Sequence, residues 1–243
     1  MSDSLSGGAV TVALIHGAFA DSSSWNGVVE RLQAAGVRTT CIPNPLRGLS
    51  LDAQYAASAL RQLDSPVIVV GHSYGGAVMT NAVPQVDNVV GLVYVAAFAP
   101  DEGETLMSIE GDSKDSVLTS SLVSRSYPTA DGEVEEFAID PAKFHDAFAA
   151  DLSPEDAAVM AATQRPASAL AFAEPTGPPA WKRLPAWSVV ATGDKAAGTD
   201  VVRSMAQRAK ATITEEPGSH VIMVSKPQVV TDVIMDAVAA TGR

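Results

Sequence analysis

A chain of 243 residues is long enough for one large α/β domain. Hydrophobic residues make up 47% and charged residues 18%, a globular composition that supplies apolar surface for a sizeable core. With 28 acidic against 16 basic side chains the net charge is −12, which repels phosphate backbones and anionic lipid and argues against nucleic-acid or membrane-surface partners.

The opening stretch MSDSLSGG has no basic region followed by an apolar run, so no secretory signal is expected there. No apolar stretch approaches the ~20 residues that span a bilayer. The single cysteine, Cys41, excludes an intramolecular disulfide, and its place in an expected buried strand suits a small inert hydrophobe. These features together predict a soluble, cytoplasmic protein.

In chain order, the apolar run Val10 to Ile15 predicts a strand, being too short for a helix. Asp21 to Ser24 offers N-caps for a helix through Trp25, Val28, Val29 and Leu32, and Gly36 supplies its C′ residue. Val37 to Ile42 reads as a second strand, Leu51 to Leu63 as a helix and Val67 to Val70 as a buried strand. Tyr74 to Val83 reads as a helix and Val89 to Ala96 as a further strand. Continuous apolar strands alternating with helices predict a mostly parallel central sheet with helices on both faces.

That rhythm breaks between Pro100 and about Pro185. Lys143 to Ala150 and Pro154 to Thr163 have helical spacing, the second capped by Ser153, and Ala130-Asp131-Gly132 signals a turn. The rhythm resumes with a strand at Trp187 to Thr192, a helix near Asp200 to Ala209, a strand at Ala211 to Glu215 and a helix after Pro227. The expectation is one domain over residues 1–243 with a helical lid of about residues 101–185 inserted between two strands.

The chemistry centres on Gly71-His72-Ser73-Tyr74-Gly75-Gly76, placed directly after Val67-Ile68-Val69-Val70. A G-x-S-x-G between strand and helix makes a sharp turn that lifts the serine hydroxyl out at the strand's C-terminal end. Serine is a weak nucleophile without a base to take its proton. Four histidines are available. His72 is directed away by the backbone beside Ser73, and His145 falls in the lid as a surface or packing residue. His220, after the last strand, reaches the sheet edge where the elbow opens. Asp194, after Thr192-Gly193, stands at the tip of the preceding strand as the acid that would hold the His220 tautomer, with Asp101 and Asp200 as alternatives. The order Ser, Asp, His along the chain suits such a triad. Oxyanion donors are expected from the backbone N–H of Tyr74 and, after the turn at His16-Gly17, from that of Ala18.

These stretches, with Trp25, Leu32 through Ala35-Gly36-Val37, Thr192-Gly193-Asp194 and Gly218-Ser219-His220, resemble the α/β-hydrolase superfamily. They are most similar to the small esterases of the plant methyl-ester hydrolase and hydroxynitrile lyase branch. The resemblance implies the α/β-hydrolase fold and a serine-dependent hydrolase of small to medium carboxylic esters. The lyases of this branch carry a lysine where this chain has Val221 and a threonine where it has Gly17, so both positions favour ester hydrolysis. Relatives often place isoleucine-proline after the acid, whereas Lys195-Ala196-Ala197-Gly198 predicts a looser loop. No metal or organic cofactor is implied, because no His/Cys/Asp cluster has ligand spacing. The expected partner is a small-molecule ester, with Leu106, Met107, Leu122, Phe144, Phe148 and Met160 available to line an apolar pocket. The rival readings are a lyase-like or cofactor-free peroxidase enzyme on the same scaffold and a slow-turnover ligand sensor.

Overall fold

The structure is a computed structural model that describes residues 9–241. The expectation drawn from the opening MSDSLSGG stretch falls outside those residues. The first half alternates β1 (Thr11–Ile15), α1 (Asn26–Ala34), β2 (Arg38–Ile42), α2 (Leu49–Arg61), β3 (Val67–His72), α3 (Tyr74–Ala82) and β4 (Val89–Val95). The insertion then contributes α4 (Leu106–Gly111), β5 (Leu122–Thr129), β6 (Gly132–Ile139), α5 (Pro141–Phe148), α6 (Pro154–Thr163), β7 (Ala167–Ser168) and α7 (Leu170–Ala173). β8 (Ala186–Ala191), α8 (Thr199–Arg208), β9 (Thr212–Glu216), α9 (Ile222–Ser225) and α10 (Pro227–Thr241) complete the chain.

Six strands in the order β2-β1-β3-β4-β8-β9 form the central sheet, and every pairing in it is parallel. α1 packs with α10, and α2 packs with α3. A parallel sheet covered on both faces needs strands that are apolar on both faces, which is what the β3 run Val67 to Val70 supplies. All four of those side chains are fully buried. Each stabilises the fold by about 1.5–3 kcal/mol relative to exposure. β2 is an edge strand, and Cys41 on it is half-buried where full burial was expected. Its burial still pushes the thiol pKa up, which suits an unreactive role.

Local signals set the ends of α1. Asp21 accepts a hydrogen bond from Ser23 N at 2.7 Å and caps a 3-10 turn that leads into the helix. At the other end Gly36, at φ +76°, donates to Gln33 O and Val37 donates to Leu32 O, both at 2.9 Å. This pair of bonds is a Schellman motif, and it returns the chain towards β2.

The insertion is only partly helical. α6 forms over Pro154–Thr163 as its cap predicts, with Ser153 accepting from Asp156 N at 3.1 Å. Between α4 and α5, however, the chain forms an antiparallel hairpin, β5 against β6, extended by β7 into a three-stranded sheet. The sequence hides this hairpin because exposed Ser, Arg, Thr and Glu interrupt its apolar residues, leaving no regular alternation to mark a face. Side-chain bonds across the ladder contribute, such as Ser124 Oγ to Glu135 at 2.6 Å. Arg47 anchors the hairpin to the sheet domain, bonding Glu136 at 2.7 Å and lying 4.3 Å over the Tyr127 ring.

Strand order places the site. From β1 the chain steps first to β2 on one side and then returns to β3 on the other. The crevice at the carboxyl ends of β1 and β3 is therefore a topological switch point, where connecting loops part and leave room for a ligand. The register Ile15 opposite Gly71 brings the loop after β1 beside the turn after β3.

Candidate active site

At the end of β3 the chain reverses sharply through Ser73, at φ +52° and ψ −124°, and enters α3 at Tyr74. A non-glycine residue there costs about 1–3 kcal/mol and persists only where its surroundings enforce it. Ser73 N donates to Val95 O at 3.3 Å, while Gly76 N and Phe98 N both donate to Ser73 O. The turn also needs an absence of side chain at position 75, because a Cβ on Gly75 would lie 2.4 Å from Ile15 O. Gly17 is under the same restriction from the opposite side. A Cβ there would lie 2.7 Å from the Ser73 Cβ, so the threonine of the lyase pattern has no room on this backbone.

The residues expected as base and acid, His220 and Asp194, come from the loops after β9 and β8. His220 Nδ1 lies 2.8 Å from Asp194 Oδ2, with both side chains 1% exposed. A carboxylate only accepts, so Nδ1 carries the proton and Nε2 is the ring's basic atom in the neutral form. The other oxygen, Asp194 Oδ1, accepts from Ala196 N at 2.9 Å and Ala197 N at 3.0 Å. The Lys195-Ala196-Ala197-Gly198 turn therefore grips the acid, where a looser loop was expected. It is itself pinned by Val117 N to Lys195 O at 2.8 Å and Ser116 Oγ to Ala196 O at 2.6 Å. Gly193 N donates to Gly218 O at 2.9 Å and ties the acid loop to the base loop. Asp101 and Asp200 are engaged elsewhere: Asp101 pairs with Lys182, and Asp200 accepts from Ser113 Oγ and Lys114 N.

Two buried histidines that sequence reasoning left without a role hold this arrangement. His16 Nε2 accepts from Asn44 N at 2.9 Å, so its proton sits on Nδ1, which donates to Gly17 O at 2.9 Å. Burial lowers the His16 pKa from 6.5 to about 4 and keeps the ring neutral. A peptide is planar and trans, so fixing the Gly17 carbonyl turns the Ala18 N–H of the same unit the opposite way. His72 is not simply directed away. Its Nε2 donates to the backbone carbonyl of His220 at 2.9 Å, and its ring centroid is 4.7 Å from that of His220. Burial, reinforced by the neighbouring His220, holds the His72 pKa well below the usual value, so this contact is made by a neutral imidazole. Partners 28 and 148 residues away in sequence gave neither role a local signal.

Ala18 is 2% exposed, and its N–H has no acceptor among the described residues. The same holds for the Tyr74 N–H, an unpaired donor of the first turn of α3. Buried donors are rarely left unpaired, so both N–H groups are free to meet an acceptor. Tyr74 is anchored by its side chain, whose hydroxyl donates to the buried Asp52 at 2.7 Å. Burial and the Asp52 charge raise the phenol pKa well above its usual value. Ser73 Oγ itself makes no hydrogen bond to His220 among the described residues, so that link of the constellation is unformed. His145, on α5, faces Leu152 O at 3.1 Å and serves packing, as expected.

Of the apolar residues named for a pocket, Phe148 comes nearest the chemistry, with its ring centroid 4.9 Å from that of His220. Leu106 and Phe144 are fully buried in the core. Met107 and Leu122 line a cleft of about 300 Å³, and Met160 lines a smaller one of about 110 Å³ beside Phe19. Among the described residues no helix is long and apolar enough to cross a membrane.

Comparison with known proteins agrees with this architecture. Polyneuridine aldehyde esterase superposes with a TM-score of 0.77 at 18% identity, over 95% of this chain and 99% of that one. The methylesterase MES16 from Arabidopsis gives 0.77 at 19% identity over the same shares. A pyrethroid hydrolase from Sphingobium faniae gives 0.73 at 20%, covering 95% of this chain and 98% of its own. No curated protein sequence matches the chain. The model of the alpha/beta hydrolase family matches residues 12–233, so the chain belongs to that family.

Proposed function

We propose that the protein is a serine esterase acting on small to medium carboxylic esters through an acyl-enzyme, with Ser73, His220 and Asp194 as its triad. The observation that carries this reading is the buried 2.8 Å contact between Asp194 and His220 beside a serine flanked by two unpaired backbone donors. In the proposed reaction His220 Nε2 takes the Ser73 proton as Oγ adds to the ester carbonyl. The N–H groups of Ala18 and Tyr74 hold the oxyanion, and the C–O bond to the alcohol breaks as His220 returns the proton to it. Water, deprotonated by the same imidazole, then attacks the acyl-serine and releases the acid. Asp194 keeps the proton on Nδ1 and stabilises the imidazolium. The similar structures described as esterase, methylesterase and pyrethroid hydrolase support ester chemistry, and the crowding at Gly17 counts against the lyase alternative. The reading includes a cytoplasmic location.

The test is hydrolysis of short and medium p-nitrophenyl esters by wild type and Ser73→Ala in matched preparations. Turnover that Ser73→Ala abolishes is the expected result. Equal rates in both proteins would remove Ser73 from the mechanism, and no turnover in either would favour the sensor or non-hydrolytic readings.

A further inference from the structure

The 300 Å³ cleft reached by Met107 and Leu122 is apolar on most of its wall, with Phe137 and Phe172 joined by the polar Thr119 and Ser124. One carboxylate, that of Glu110, also lines it. Phe172 is the wall shared with the catalytic crevice. Its ring stacks on Phe19 at 6.1 Å and 15° and lies 6.1 Å from the Tyr74 ring. The cleft is therefore one aromatic ring away from the residues that flank the oxyanion donors.

Glu110 is built into this wall asymmetrically. Its Oε1 takes Thr119 Oγ1 at 2.8 Å, Thr119 N at 3.1 Å and Ser116 Oγ at 3.4 Å. Its Oε2 accepts no hydrogen bond, and no Lys or Arg pairs with it among the described residues. Burial pushes the Glu110 carboxyl up, while its hydrogen bonds from Thr119 and Ser116 pull it the other way. Oε2 stays solvent-accessible, so a donor entering this mostly apolar cleft can meet it.

Building on the esterase reading, we propose that this cleft is a distal substrate subsite in which Glu110 selects esters bearing a protonated amine beyond an apolar spacer. The spacer would lie along Phe172 and Leu122, and the ammonium would donate to Oε2.

Two pairs of esters test this, each matching a cation with a neutral isostere. They are methyl 6-aminohexanoate against methyl heptanoate, and 5-(dimethylamino)pentyl acetate against 6-methylheptyl acetate. In wild type the cationic member of at least one pair should be favoured roughly tenfold or more in kcat/KM, as a charge-assisted hydrogen bond implies. Glu110→Gln should bring that ratio near one, and Glu110→Asp should retain part of it. No preference in either pair overturns the proposal. So does a preference that survives Glu110→Gln and fades only with added salt, because the general −12 charge would then be its source. Calorimetric binding of the same pairs to Ser73→Ala separates this claim from the esterase reading. Cation preference lost in Ser73→Ala/Glu110→Gln supports the subsite even without turnover, and its absence overturns the subsite while leaving the esterase intact.

Discussion

His16 joins fold stability to the proposed oxyanion site through its bond to the Gly17 carbonyl. Its ring is neutral when folded, with a pKa near 4, and titrates near 6.5 once exposed on unfolding. Between those values the unfolded chain holds a proton that the folded one lacks, so stability falls as pH drops from 6.5 towards 4. The contribution is fully present above 6.5 and lost below about 4. It amounts to about 3 kcal/mol. Urea unfolding at a series of pH values should show this loss in wild type and a shallower slope in His16→Ala. The same slope in both would assign the acid sensitivity to other groups. His16→Ala should also lower kcat, because the Gly17 carbonyl loses the bond that orients the Ala18 N–H.

At the scale of elements, α2 is tied to α3 through Asp52, which accepts from the Tyr74 hydroxyl. Burial raises the Asp52 pKa, with the Tyr74 hydroxyl and the Arg47 N–H opposing that shift by bonding the charged form. Tyr74→Phe leaves the apolar ring in place but takes one donor from a fully buried carboxylate. The expected loss of stability is about 1–3 kcal/mol by urea unfolding. An unchanged midpoint would mean that Asp52 finds another partner. Some elements were legible in sequence because their signals are local. The β3 run with its elbow, the Gly36 stop of α1 and the Ser153 cap of α6 each lie within a few neighbouring residues. The β5–β6 hairpin was not, since its surface-facing polar strands carry little periodic apolar signal. The roles of His16, His72 and Glu110 depend on partners from other elements, so local pattern could not reveal them. The choice of Asp194 over Asp101 and Asp200 was half-legible: the strand tip favoured it, and the contact with His220 distinguishes it.

Across the whole molecule, function follows from where the strand order reverses. The loops after β1 and β3 part at that point and bring Gly17 against Ser73, while the loops after β8 and β9 bring Asp194 and His220 together. In the proposed reading, chemistry resides at the carboxyl edge of the sheet, and the insertion contributes the cleft lined by Leu122, Phe137 and Phe172. At about 20% identity, the similar structures share the fold over nearly the whole chain.

The claim that Ser73 carries the acyl group is tested most directly by rapid acid quench of the enzyme with p-nitrophenyl acetate, followed by peptide mass spectrometry. The account predicts one acetyl group on the peptide containing Ser73, appearing before steady state and absent in Ser73→Ala. Turnover with no acyl-enzyme, or with the acetyl group on another residue, would contradict it.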